Sequence, residues 1–151
     1  MLIILEGCDA TGKSTLAKML APILNAQIVH CTTETPNTFE FFRDIVYASE
    51  RNNIVADRFC YGQFVYQDSE ERPINYSGEF NDEWDALYDL ECRMLRYNTK
   101  LIYCYTDTNV IIDRMINRGE NPMVPADIKN IQQNYANLWT RTLIQPIYFR
   151  T

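Results

Sequence analysis

The run Leu2-Ile3-Ile4-Leu5-Glu6-Gly7-Cys8-Asp9-Ala10-Thr11-Gly12-Lys13-Ser14-Thr15-Leu16 decides the fold. Its opening, Leu2 to Leu5, is continuously apolar, as expected of a strand buried on both faces of a parallel sheet. Its middle, Gly7 to Ser14, satisfies the pattern G-x-x-x-x-G-K-[ST]. Glycines allow a backbone to wrap phosphate groups, and the loop N–H groups then point inward at the start of a helix. In such a loop Lys13 reaches the β- and γ-phosphates and the Ser14 hydroxyl ligates Mg²⁺. Gly7, Ala10, Thr11, Gly12, Lys13, Ser14 and Thr15 are therefore the expected triphosphate contacts, with ATP and Mg²⁺ as the implied ligands. The context agrees, because Leu16, Met19, Leu20, Ile23 and Leu24 recur at helical spacing directly after the loop.

Outward from this run, strand and helix patterns alternate. Gln27–Cys31, Asn53–Asp57, Leu101–Tyr105 and Ile147–Arg150 read as strands. Helices are expected from Thr38, which is a suitable cap, over Asp82–Tyr97, over Asn109–Arg118 closed by Gly119, and from Pro125 onward. The polar stretch 68–81, with Pro73 and Gly78, reads as a surface loop. Such alternation implies βαβ units: an α/β fold with a mostly parallel central sheet and helices on both faces. At 151 residues, one domain spanning 1–151 is expected.

Composition narrows the function. The chain is 46% hydrophobic and 23% charged, the balance of a globular protein. Its net charge of −6 speaks against a nucleic-acid partner, which requires a basic footprint. No apolar run is long enough to span a bilayer, so no membrane role is expected, and Met1–Glu6 lacks the features of a signal peptide. Five scattered cysteines without a C-x-x-C pair point to reduced thiols in a cytoplasmic setting and to no zinc site.

The opening run resembles the start of thymidylate kinases, including the Asp two residues after the first Gly. Asp57-Arg58-Phe59 with Val65-Tyr66-Gln67 is similar to that family's D-R-Y and A-Y-Q segments. Asp113-Arg114-Met115-Ile116-Asn117-Arg118-Gly119-Glu120 resembles its E-R-I-x-x-R-G-E lid base. The resemblance implies a P-loop kinase fold and Mg²⁺-dependent transfer of the ATP γ-phosphoryl group to a deoxynucleoside monophosphate, dTMP or a related pyrimidine nucleotide. It implies small-molecule nucleotides as partners, and a homodimer is compatible with it. Lys13, Arg58 and Arg118 would be catalytic, with Arg114 and Arg118 closing over ATP. Asp9 would accept a bond from the acceptor's 3′-hydroxyl. Arg58 would hold the acceptor phosphate. Gln63 and Tyr66 would meet the base and sugar, and Ser14 and Asp57 would serve the metal.

Between Gln27 and Asp57 the chain departs from the family. Glu34-Thr35-Pro36 resembles its R-E-P loop without the Arg. Glu40-Phe41-Phe42-Arg43 resembles its G-E-x-x-R segment without the Gly, which nominates Arg43, with Phe39, for the acceptor. Arg43 precedes Asp57 by only fourteen positions, so a helix of the family is missing. Tyr47-Ala48-Ser49-Glu50-Arg51 imitates a base-recognising segment, but a helix begun near the carboxyl ends of the strands carries Arg51 away from them. Gly62 replaces a family Ser. Neither Ala10, Thr11 nor 121–125 supplies the arginine that the family places in its loop or lid. Shortly past its last strand the chain ends, so a reduced adenine-contacting region is expected. Two alternatives stay open: a deoxynucleoside kinase with Glu34 as base for a sugar 5′-hydroxyl, and a non-catalytic nucleotide-binding protein. His30 is expected to pack at a strand end, and Trp84 and Trp139 to belong to the core.

Overall fold

In a computed structural model the chain is described at residues 1–32, 34–36, 38–66 and 80–151. The surface loop expected over 68–81 therefore lies outside the described residues, except for Phe80 and Asn81. Five strands are described: β1 (Leu2–Glu6), β2 (Ala26–His30), β3 (Asn53–Asp57), β4 (Thr99–Tyr105) and β5 (Ile147–Arg150). They form a single sheet in the order β2-β3-β1-β4-β5, and every pairing is parallel. Six helices are described with them: α1 (Lys13–Leu24), α2 (Phe39–Ala48), α3 (Tyr61–Val65), α4 (Glu83–Met94), α5 (Thr108–Asn117) and α6 (Pro125–Trp139).

Side-chain alternation along β1 explains the layering. Ile3 and Leu5 point to the face covered by α1, where they meet Ala17 and Val55. Leu2 and Ile4 point to the other face, into a larger core built with Phe42 of α2, Leu90 of α4, Ile111 of α5 and Tyr135 of α6. The same parity sends Glu6 to that larger face. β1 pairs on both sides and is buried throughout, whereas β5 lies at an edge and is exposed throughout.

The helix ends follow their local chemistry. Thr38 caps α2 by accepting from the Phe41 amide at 3.2 Å, and Asp82 caps α4 by accepting from the Trp84 and Asp85 amides. Gly119, at φ +74°, ends the α5 segment in the left-handed conformation. Glu91 is a buried acid on α4 whose oxygens accept from the Tyr61 hydroxyl (2.9 Å) and the Leu143 (2.8 Å) and Ile144 (3.3 Å) amides. It thereby fixes the approach to β5. The short α3 was not expected; five residues give no helical period to read.

This packing separates costly from tolerant positions. Leu90 is 2% exposed and Ile147 is 55% exposed. Leu90→Ala is expected to lower unfolding free energy by about 2–5 kcal/mol, and Ile147→Ala to change it by less than about 0.5 kcal/mol, in urea denaturation.

Candidate functional site

The site forms where β1 and β3 end side by side, Leu5 being in register with Asp57. Beyond Glu6 the chain must turn within a space that admits no side chain. A Cβ on Gly7, at φ +142°, would stand 2.2 Å from the carbonyl oxygen of Cys104 on β4. Ala10 (φ +58°) and Gly12 (φ +81°) complete a loop that delivers the chain into α1 at Lys13.

Within the loop, Lys13 is buried and its Nζ donates to the carbonyl of Cys8 at 2.6 Å. The Thr11 hydroxyl donates to the same carbonyl at 2.7 Å. Burial, then the nearby Arg58 charge, lowers the Lys13 ammonium to about 8 despite Asp9, Glu6 and Asp57. An incoming anion favours its charged form.

Asp57 is 2% exposed at the end of β3. Its Oδ2 accepts from the Ser14 hydroxyl at 2.5 Å and lies 2.7 Å from His30 Nδ1. Its Oδ1 is buried with no hydrogen-bond partner among the described residues. A buried, unpartnered carboxylate oxygen beside a serine hydroxyl is the donor set expected of a Mg²⁺ site, so the residues present fit that ion. Lys13 does not pair with Asp57: its ammonium bonds the loop instead. His30 is corrected as well: it is half-exposed and bonds Asp57 across the β2–β3 register instead of packing at the strand end.

Arg58 follows Asp57 at φ +72°, a conformation that costs a non-glycine residue about 1–2 kcal/mol. Its amide donates to the Leu5 carbonyl at 3.0 Å. Its guanidinium forms a short ion pair with Asp9 of the loop, so these two expected acceptor contacts meet each other. The Tyr66 ring is another of its neighbours. Sequence reasoning missed Glu6, which is wholly buried beneath them. Its Oε1 accepts from the Phe59 amide at 2.9 Å and its Oε2 from the Tyr135 hydroxyl at 3.0 Å. Burial pushes its carboxyl up to about 7, against Arg58, these two donors and Lys13.

The remaining expected residues divide between two regions. Arg114 donates to the Ala10 carbonyl (3.1 Å) and to the Thr151 hydroxyl (3.0 Å), while Arg118 is paired with Glu120 at 3.0 Å. Both arginines line a cavity of about 530 Å³ with Gly12, Thr15, Met19 and Phe149, beside the loop. Arg43 lies midway along α2 with its Nε buried and without a partner among the described residues, and with Asp44 at 3.5 Å. Phe39 is 3% exposed and packs on Phe80, so its ring belongs to the core at this end of α2. Gln63 lies within α3, and Tyr66 caps its end. Arg51 lines a polar cavity with Asn25 and Asn53, at the amino ends of β2 and β3 and away from the loop, as the helix-length argument requires.

Two stability measurements follow from this geometry. Gly7→Ala is expected to lose at least about 2 kcal/mol, since backbone and not a flexible side chain occupies the space. For Glu6, a folded-state value of about 7 above an ordinary 4.5 means that the folded chain binds the proton more tightly. Stability is then greatest where Glu6 is protonated and is lost as pH rises from about 4.5 to about 7. The unfolding free energy of wild type relative to Glu6→Gln should fall by about 3 kcal/mol across that window.

No protein-family model matches the chain. Over 147 residues it is 28% identical to the SPβ prophage-derived uncharacterized protein YorR of Bacillus subtilis, covering 91% of this chain and 81% of that one. It is 22% identical to the "Probable thymidylate kinase" of Methanococcus aeolicus, covering 95% of this chain and 82% of the other. The crystal structure of YorR in complex with phosphorylated GDP superposes with a TM-score of 0.81 at 25% identity, over 99% of this chain and 85% of that one. Deoxyadenosine kinase of M. mycoides with bound dCTP gives a TM-score of 0.57 at 19% identity, over 100% and 89% of the two chains, a likeness of fold. The ordered motifs, the parallel sheet and these likenesses agree on a P-loop kinase fold, and the chain is similar in sequence to YorR and to probable thymidylate kinases.

Proposed function

We propose that the chain transfers the γ-phosphoryl group of ATP to a deoxynucleoside monophosphate, with dTMP or a related pyrimidine nucleotide as the leading acceptor. The observation that carries the acceptor class is Arg43, whose Nε is buried and without a partner among the described residues. A buried guanidinium nitrogen left unpaired is costly, and a phosphate supplies the acceptor it lacks. Arg58, on the mouth of the loop, is the second guanidinium for that phosphate once it exchanges Asp9 for the acceptor. Asp9 is then released toward the sugar hydroxyl.

In this reading the loop amides and Lys13 hold the triphosphate, and Arg114 and Arg118 line the cavity that takes its nucleoside. Ser14 and Asp57 would hold Mg²⁺, which when bound neutralises charge on the phosphates. Lys13 leaves the Cys8 carbonyl for the phosphates, and Arg58 neutralises charge as the two phosphates approach. Little general-base help is required, because positioning and charge neutralisation carry phosphoryl transfer. Glu34, the base in the deoxynucleoside kinase reading, is exposed on a turn, and that favours a monophosphate acceptor. The nucleotide complex of YorR supports nucleotides as ligands of this fold and leaves the base to be fixed by assay.

Coupled assays of ADP release against monophosphates and free nucleosides test the proposal. Lys13→Ala is expected to abolish turnover while the fold persists. Arg43→Ala is expected to raise the acceptor KM at least about tenfold, or roughly 1.4 kcal/mol, with the KM for ATP unchanged. A wild-type preference for nucleosides over monophosphates would contradict the proposal.

A further inference from the structure

Arg58 sits where strand pairing runs out. Its own amide still reaches the Leu5 carbonyl, but the Phe59 amide, just past the left-handed Arg58, makes no backbone hydrogen bond among the described residues. The Glu6 side chain supplies the missing acceptor, and its second oxygen takes the hydroxyl of Tyr135 from α6. Packing does not require a carboxyl there. An apolar side chain of similar size would fill the space without the cost of burying an ionisable group. What the carboxyl adds is direction: one oxygen for the turn behind Arg58, one for the helix that follows the 118–124 segment.

We infer that Glu6 is a positioning residue for phosphoryl transfer, acting through Arg58. It holds the 58–59 backbone so that the guanidinium stays at the mouth of the phosphate loop, and Tyr135 makes that hold depend on α6. The inference rests on the transfer reading proposed above. Glu6 has no access to the reacting phosphates, being wholly buried, so its influence on the rate must pass through the backbone it bonds.

Steady-state kinetics of the full chain test this with Glu6→Met, Glu6→Gln and Tyr135→Phe, each alone and combined with Arg58→Lys. Glu6→Met removes both acceptor oxygens at similar volume, and is expected to lower kcat at least about tenfold with the KM for ATP within about twofold. Glu6→Gln keeps an oxygen for the Phe59 amide and is expected to stay within about threefold of wild type. In the Arg58→Lys background Glu6→Met should cost less than about a further twofold, because the residue it acts through is already compromised. Equal losses in both backgrounds, or Glu6→Gln as slow as Glu6→Met, would overturn the inference.

Should Glu6→Met not fold, Tyr135→Phe carries the same test. It should lower kcat about threefold alone and leave it unchanged with Arg58→Lys, while the same loss in both overturns the inference. If the wild-type chain phosphorylates no monophosphate, the proposed function fails and hydrogen exchange judges the hold by itself. Faster exchange of the Phe59 amide in Tyr135→Phe, with Ile4 unchanged, supports it, and unchanged exchange overturns it.

Discussion

The site depends on β1 being clamped between β3 and β4. The parallel register sets Leu5 beside Asp57 on one side and Glu6 beside Tyr103 on the other. Because the strand is paired on both edges and buried on both faces, its end cannot shift without breaking two ladders. The phosphate loop leaves from that fixed point, with Gly7 pressed against the Cys104 carbonyl. Asp57 and Arg58 emerge one strand away. The loop, the Asp57 carboxylate and the Arg58 guanidinium, which the proposed function assigns to triphosphate, metal and acceptor, are thus placed by one pairing.

Charge is arranged around this clamp with little slack. Lys13, Arg58, Asp9, Glu6 and Asp57 influence one another at close range, and burial opposes ionisation of Lys13 and Glu6. The cations rest on internal acceptors: Lys13 on the Cys8 carbonyl and Arg58 on Asp9. In the proposed reaction a phosphate would take over both cations from these internal partners. The left-handed backbone at Arg58 is consistent with this, since strained residues persist where their surroundings hold them.

Much of this was legible in the sequence because it is local. The apolar run of Leu2–Leu5, the glycine and lysine spacing, the Thr38 cap and the helical periods each lie within a few neighbouring residues. The strands fell within a residue or two of their expected limits. What the sequence concealed is set by tertiary pairing. Glu6, next to the apolar run Leu2–Leu5, carries no local signal of a role, because its partners Phe59 and Tyr135 stand 53 and 129 positions away. His30 read as packing because nothing local reports a strand register; the pairing that brings it to Asp57 exists only once β2 and β3 align. Phe39 sits on the predicted helix, yet its ring turns into the core, an outcome fixed by Phe80 across the fold.

The central claim, transfer from ATP to a monophosphate, is tested most directly by identifying the labelled product. The purified chain would be supplied with γ-³²P-ATP, Mg²⁺ and a mixed panel of deoxynucleoside monophosphates and deoxynucleosides. The account predicts label in a deoxynucleoside diphosphate, lost when Mg²⁺ is chelated. Label in a deoxynucleoside monophosphate, or in inorganic phosphate alone, would contradict it.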